Sequence, residues 1–172
     1  ALPLQSLAFL LGGVAPQEVL IASAVLVATA FLFGAAGIFF SALMRRTLGA
    51  TVLAYAFALI ATLGLPLLLF AVVPLASLLY FNNAPSLLAQ AVLIYIFGVL
   101  IATNPIATVI TTEILLVDQQ TALYFGLPIY DSAGASVTLP LVSPWLPFVL
   151  FCFVLGALLV FISIRIVKRA ER

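Results

Sequence analysis

The chain has 172 residues, of which 66% are hydrophobic and 6% are charged, and its formal net charge is +1. This composition excludes an ordinary soluble domain, because so few polar side chains cannot cover a chain of this length in water. The sequence instead predicts an all-α integral membrane protein, with membrane lipid as a partner and no nucleic-acid partner.

The first segment, 1–13, reads ALPLQSLAFLLGG and has the composition of the last part of a membrane-spanning helix. No basic segment precedes an apolar core here, so no signal peptide is visible. We expect residues 1–13 to form a partial span of a chain that is truncated at its front. A turn on the outer side of the membrane, ending near Glu18, is expected to follow it.

Three segments are apolar and exceed the roughly 20 residues that a helix needs to cross a bilayer completely. The second contains Pro66 and Pro74, which predict kinks within it. The third is followed by the residues 168–172, which we predict to be a cytoplasmic tail. The predicted spans are 19–43, 48–80 and 145–167.

The segment between the second and third spans, 85–117, is interrupted. Its first part is long enough to cross the membrane, but Asn104 and Pro105 break it, and the residues after them are too few to cross alone. Asn104 is expected to cap the helix that follows the break. The region 118–144 is rich in glycine, proline and serine, which predicts an outer loop carrying interfacial aromatic residues.

The basic residues predict the orientation of the spans, because short loops rich in arginine and lysine remain in the cytoplasm. They occur only at Arg45, Arg46 and in the stretch 165–172. Both places are therefore predicted to be cytoplasmic, and 85–117 must then cross the membrane an even number of times. A re-entrant or outer-side helical hairpin satisfies this condition. Arg45 and Arg46 are predicted to anchor the topology, with contact to an ATPase or to lipid phosphate as the alternatives.

The residues available for chemistry are few. The chain has no histidine and one cysteine, so no catalytic, metal or cofactor site is predicted. Glu113 and Asp118 are candidates, with Asn104 and Pro105, for an outer gate or transport pathway; the alternative is that both carboxylates face water. A proton-coupled carrier would require Glu113 to be buried and essential.

Small residues recur at helical spacing in the first two predicted spans, which lets helix backbones approach closely in lipid. We favour packing within the chain for these stripes, and a homodimer interface is the alternative. The stripes are Ala30, Gly34, Gly37 and Ser41 in the first span, and Ala50, Ala54, Ala58 and Ala61 in the second.

Three stretches, FLLGGVAPQEVL, FGAAGIFFSALMRRTLGATVLAYAFAL and ATNPIATVITTE, resemble the permease subunits of type-2 ATP-binding-cassette exporters. The resemblance covers most of residues 8–114 and the basic tail. It implies six spans per subunit, helices on the outer side between spans five and six, and residues 1–11 as the end of span three. It also implies a homodimeric or heterodimeric membrane unit driven by ATP-binding subunits on the cytoplasmic side.

The sequence therefore predicts the C-terminal part of an exporter permease that works by alternating access. It would lie in the cytoplasmic membrane of a prokaryote with its C-terminus in the cytoplasm, and ATP hydrolysis would belong to a partner. The alternative function is a non-catalytic structural subunit of a larger respiratory or photosynthetic membrane complex.

Overall fold

A computed structural model describes the residues 15–44, 46–64, 66–68, 87–119, 121–130 and 136–170. The predicted partial span 1–13, the residues 69–80 of the second predicted span, and Arg45 lie outside this part. In chain order the elements are α1 (Pro16–Leu43), α2 (Thr47–Leu59), a π-helical turn (Ile60–Gly64), α3 (Leu87–Ile101), α4 (Pro105–Gln119), β1 (Tyr124–Tyr130), β2 (Ser136–Val142) and α5 (Trp145–Ala170).

Three of the described helical segments are long and apolar enough to cross a membrane: Pro16–Leu43, Thr47–Leu68 and Trp145–Arg169. A helix rises about 1.5 Å per residue, so even the shortest of them exceeds the roughly 30 Å of a hydrocarbon core. These helices agree with the predicted helical membrane protein.

Helix α1 begins with a proline and an acid, as the sequence of its first turn favours. Pro16 occupies the first helical position, where its missing N–H costs nothing. The carboxylate of Glu18 accepts a hydrogen bond of 3.0 Å from the backbone N–H of Ala15. A negative charge at this end also interacts favourably with the helix dipole.

The largest helix–helix contact in the described part of the chain joins α1 to α5. Its centre is a buried cluster formed by Val25, Ala28 and Leu32 of α1 with Phe148 and Cys152 of α5. Cys152 is fully buried and packs there as a small apolar side chain.

The contacts between α1 and α5 advance in the same direction along both helices. In α1, Phe31 comes after Val25 and Ala28 of the buried cluster. In α5, its contacts come after Cys152: its ring centroid lies 5.2 Å from that of Phe153, and it also lies against Gly156. The two helices therefore run parallel. As a result, Arg46, which follows α1, and Lys168, near the end of α5, lie at the same end of the bundle.

Helix α2 turns back along α1 immediately after Arg46. The ring of Phe57 contacts Phe33 and Phe40, with centroid distances of 6.2 and 6.0 Å. Phe57 lies ten residues after the start of α2, and Phe33 lies ten residues before the end of α1. Because the two rings meet at equal distances from the short connection, the helices run antiparallel.

The small stripe of α1 faces away from α5. Ala30, Gly34 and Ser41 are exposed, and a Cβ added at Gly34 or Gly37 would meet no described atom within 4 Å. The buried small residues are Ala28, Ala35 and Ala36, on another face of the helix. The predicted packing of this stripe within the chain is therefore not found among the described residues.

The segment between the second and third spans is a bent helical pair, and the predicted break is confirmed. The chain bends by 119° between α3 and α4, at a break of a few residues. Helix α4 starts at Pro105, because proline fits the first turn of a helix but cannot continue one.

The prediction of an outer loop over 118–144 is wrong for most of that region, and the fold is not purely helical. Helix α4 continues to Gln119, and β1 and β2 pair as an antiparallel hairpin in which Phe125 lies opposite Leu141 and Leu127 opposite Leu139. Phe125, Leu127 and Ile129 in β1 and Leu139 and Leu141 in β2 are more buried than their neighbours, the alternation expected of a half-buried ribbon.

The hairpin is held against the helices by hydrogen bonds, which a two-stranded ribbon needs because it is marginal alone. The hydroxyl of Tyr95 in α3 donates to the carbonyl of Pro140 at 3.3 Å. The indole N–H of Trp145 donates to the carbonyl of Ala122 at 2.7 Å, and the Ser143 N–H donates to Leu123 at 2.9 Å.

Candidate functional site

The break between α3 and α4 is organised by one buried amide side chain. Asn104 is 1% exposed. Its Nδ2 donates hydrogen bonds to the backbone carbonyls of Ala61 and Thr62, at 2.6 and 3.0 Å. Its Oδ1 accepts a hydrogen bond of 2.9 Å from the N–H of Ala107. Asn104 therefore caps α4, as predicted, and also binds the second span, which was not predicted.

The carbonyls of Ala61 and Thr62 need a donor because Pro66 follows them. In an α-helix the carbonyl of Thr62 would accept from residue 66, and in a π-helical turn that of Ala61 would accept from the same residue. Proline has no N–H to offer. The π-helical turn therefore exposes two acceptors at one place, and the amide of Asn104 supplies the missing donor.

The predicted topology places the hydrogen bonds from Asn104 to Ala61 and Thr62 inside the apolar layer of the membrane. Ala61 follows Arg46 by 15 residues, which corresponds to roughly 22 Å along a helix and falls within a hydrocarbon core about 30 Å thick. Backbone groups at such a depth cannot rely on bulk water and must be paired inside the protein. The hairpin meets the second span at its π-helical turn, which the predicted topology places inside the apolar layer.

A second side chain closes the break from the other side. The hydroxyl of Thr108 donates to the carbonyl of Ile101 at 2.9 Å, and the Thr108 N–H donates to the carbonyl of Asn104, also at 2.9 Å. Thr108 is fully buried. The last turn of α3 and the first turn of α4 are therefore joined by local hydrogen bonds that fix the bend.

Helix α4 presents its hydroxyls to the protein and its isoleucines outward, the reverse of a helix in water. Its buried residues are Thr108, Thr112 and Leu116. Four apolar residues on the other face are exposed, with exposed fractions from 40% to 67%: Ile106, Ile110, Ile114 and Val117. This arrangement suits a helix whose outer face meets lipid or another subunit.

One hydroxyl on this inner face provides a stability test. The Oγ1 atom of Thr112 is buried without a hydrogen-bond partner among the described residues, whereas that of Thr108 has one. An unpaired buried polar group costs roughly 1–3 kcal/mol. Thr112→Val should therefore leave the free energy of unfolding unchanged or raise it, while Thr108→Val should lower it by about 1 kcal/mol. Unfolding titrations in mixed micelles would compare the two variants, and an equal loss in both would contradict the assignment.

The remaining predicted site residues are not brought together with Asn104 and Pro105. Glu113 and Asp118 are both exposed. Glu113 is on the outward face of α4, and so lacks the burial that a proton-coupled carrier would require of it. Arg46 is exposed between α1 and α2, at the end of the bundle where the basic residues of α5 also lie.

Sequence reasoning missed the residues that accept hydrogen bonds from Asn104. The available signal was Pro66, four residues after Thr62, because a proline inside a span always leaves a carbonyl without its helical donor. An asparagine elsewhere in the apolar sequence is the natural partner for such a carbonyl.

No protein-family model matches this chain, and neither a curated protein nor a solved structure matches it.

Proposed function

We propose that this chain is the membrane-spanning permease subunit of an ATP-driven exporter, and that a separate ATP-binding subunit powers it. The observation that carries the proposal is the link from Asn104 to the carbonyls of Ala61 and Thr62. This link joins the broken hairpin to the π-helical turn of the second span. A movement of the second span would therefore be passed on to the hairpin. The resemblance of residues 8–114 to exporter permeases supports the same function.

In this mechanism the turn at Arg45 and Arg46 lies on the cytoplasmic side, where short basic loops remain. ATP binding by the partner draws two permease halves together, and the movement enters α2 through this turn. Helix α2 is continuous up to the π-helical turn Ile60–Gly64, so it transmits the displacement to the break. Because Asn104 binds that break, the hairpin moves with it and alternately closes and opens the outer side.

The proposal includes a dimer, either of two copies or of this chain with another permease half. The exposed stripe of small residues on α1 is available for close helix contact, since a Cβ at Gly34 or Gly37 meets no described atom. The membrane is the cytoplasmic membrane of a prokaryote, with the end of α5 in the cytoplasm.

Isolation from native membranes tests this function. The tagged protein should co-purify with a cytoplasmic ATP-binding subunit, and the pair should hydrolyse ATP after reconstitution in lipid vesicles. Mass spectrometry of the partners and the release of phosphate are the measurements. A stable complex with haem or pigment proteins, containing no ATPase, would instead favour the structural subunit and overturn the proposal.

A further inference from the structure

The side of α5 that points away from α1 is exposed along the second half of the helix. Phe148 and Cys152 pack in the buried cluster and Gly156 lies against Phe31, so these three residues mark the side that faces α1. On the opposite side, exposed residues recur at spacings of four and three, which keeps them on one helical face. This distal face of α5 consists of Val154, Leu158, Phe161, Arg165, Lys168 and Arg169.

The distal face changes from apolar to basic along the helix. Val154, Leu158 and Phe161 are each at least half exposed. The three basic residues follow them directly, and α5 itself carries no acidic residue. Beyond the helix the sequence adds one acid, Glu171, and one base, Arg172, so the positive charge of the distal face is not offset there.

The length of the apolar part matches one leaflet of a bilayer. Val154 and Arg165 are separated by about 16 Å along the helix, at about 1.5 Å per residue. A leaflet contributes half of a hydrocarbon core that is about 30 Å thick. An acidic protein segment would pair with the cations but would leave the aliphatic part of the face without a partner. A phospholipid has an acyl chain for the one part and a phosphate for the other.

The guanidinium group of Arg165 is already positioned by the protein. Its central carbon lies 4.7 Å from the centroid of the Phe161 ring, one turn earlier on the same face. The negative face of an aromatic ring attracts such a cation. A guanidinium also binds a phosphate through two parallel N–H groups, and less side-chain freedom is lost when its orientation is fixed beforehand.

We propose that the distal face of α5 binds one anionic phospholipid. An acyl chain lies along the apolar part, and the phosphate lies at Arg165 and the two basic residues of the last turn. The acyl chain gains little free energy, because the surrounding lipid is apolar as well. Selectivity therefore comes from the headgroup: a headgroup with net negative charge is attracted to the cations, whereas the ammonium of a zwitterionic headgroup opposes this attraction. Binding requires neither ATP nor a second subunit.

Native mass spectrometry of the full chain in nonionic detergent micelles measures this binding one lipid at a time. The protein would be titrated with phosphatidylglycerol and with phosphatidylcholine of identical acyl chains. We expect one phosphatidylglycerol to bind with a Kd at least about tenfold lower than that of phosphatidylcholine, or roughly 1.4 kcal/mol. Glycerol phosphate, which carries the anion without acyl chains, should not displace it at the same concentration.

Three variants locate the site. Arg165→Gln should weaken the binding of phosphatidylglycerol about fivefold, the effect expected of one basic residue near an anionic headgroup. Phe161→Leu keeps every charge but releases the guanidinium from the ring, and should weaken binding about twofold to threefold. Arg46→Gln is the matched control, because it removes one positive charge at the same end of the bundle but next to α1, on the other side of α5. It should bind phosphatidylglycerol like the unmodified protein.

Four results would overturn the proposal. The first is equal affinity for the two lipids in the unmodified protein. The second is an affinity for phosphatidylglycerol that neither Arg165→Gln nor Phe161→Leu lowers. The third is an equal loss in Arg46→Gln and Arg165→Gln, which would reflect the overall charge of this end and not the distal face. The fourth is displacement of the lipid by glycerol phosphate, or by an equal concentration of a short poly-glutamate peptide, which would point to a free anion or to an acidic protein segment as the occupant.

Discussion

Asn104→Leu should lower the free energy of unfolding by about 2–4 kcal/mol, the largest loss we expect from one side chain. Leucine has a similar size but leaves the carbonyls of Ala61 and Thr62 and the N–H of Ala107 without their partner. Because Asn104 is buried, water replaces the lost hydrogen bonds poorly. The measurement is a reversible unfolding titration in mixed micelles.

Thr103→Val is the matched control for this variant. Thr103 precedes Asn104, is exposed, and makes only a local hydrogen bond to Leu100. Thr103→Val should lower the free energy of unfolding by less than about 1 kcal/mol. Similar losses at both positions would show that the break is merely sensitive to substitution and that the amide has no special role.

The Pro66 substitution tests why the amide is needed. Pro66→Ala restores an N–H that can serve the carbonyl of Thr62 within the helix. In this background Asn104→Leu should cost less than it does in the unmodified protein, with a coupling of about 1 kcal/mol or more in a double-mutant cycle. Strictly additive effects would contradict the link between the proline and the asparagine.

Gly156→Leu should also destabilise the protein, by about 1–3 kcal/mol, because it overpacks the main helix contact. A Cβ at Gly156 would lie 2.5 Å from the ring of Phe31, so this ring must move and lose its contact with Phe153. Thermal unfolding followed by circular dichroism measures the effect.

The neighbouring position provides the control for this substitution. Ala157 is exposed on the same helix, so Ala157→Leu adds the same kind of side chain without meeting α1. Its free energy of unfolding should stay within about 0.5 kcal/mol of that of the unmodified protein. Equal losses in Gly156→Leu and Ala157→Leu would mean that α1 and α5 do not pack as described.

The features that local composition determines could be predicted from the sequence. A long apolar run is recognised as a span without knowledge of the residues that it contacts. A proline such as Pro105 cannot continue a helix, whatever surrounds it. The bounds of α1 and α5 and the break at Asn104 follow from such signals. The cap that Asn104 provides was also predictable, because its partner Ala107 is three residues away.

Features that depend on distant contacts could not be predicted in the same way. The carbonyls of Ala61 and Thr62 lie more than 40 residues from Asn104 in the chain, and no pattern along the sequence joins them. The β-hairpin was missed because its glycine and prolines, among them Pro128 and Pro140, are typical of loops. Both strands are edge strands, where proline is tolerated, and only the alternation of apolar residues indicated them.

The inward or outward direction of every span follows from the side of the membrane on which the basic residues lie. Single cysteines would be introduced as Arg46→Cys, Lys168→Cys and Asp118→Cys in a chain that carries Cys152→Ala. These three positions are exposed, and the native cysteine is buried. A membrane-impermeant maleimide applied to intact cells should label only the position at 118, and those at 46 and 168 should react only after the membrane is opened. The predicted orientation would be contradicted if positions 46 and 168 were labelled from opposite sides of the membrane. It would also be contradicted if position 118 were labelled from the same side as positions 46 and 168.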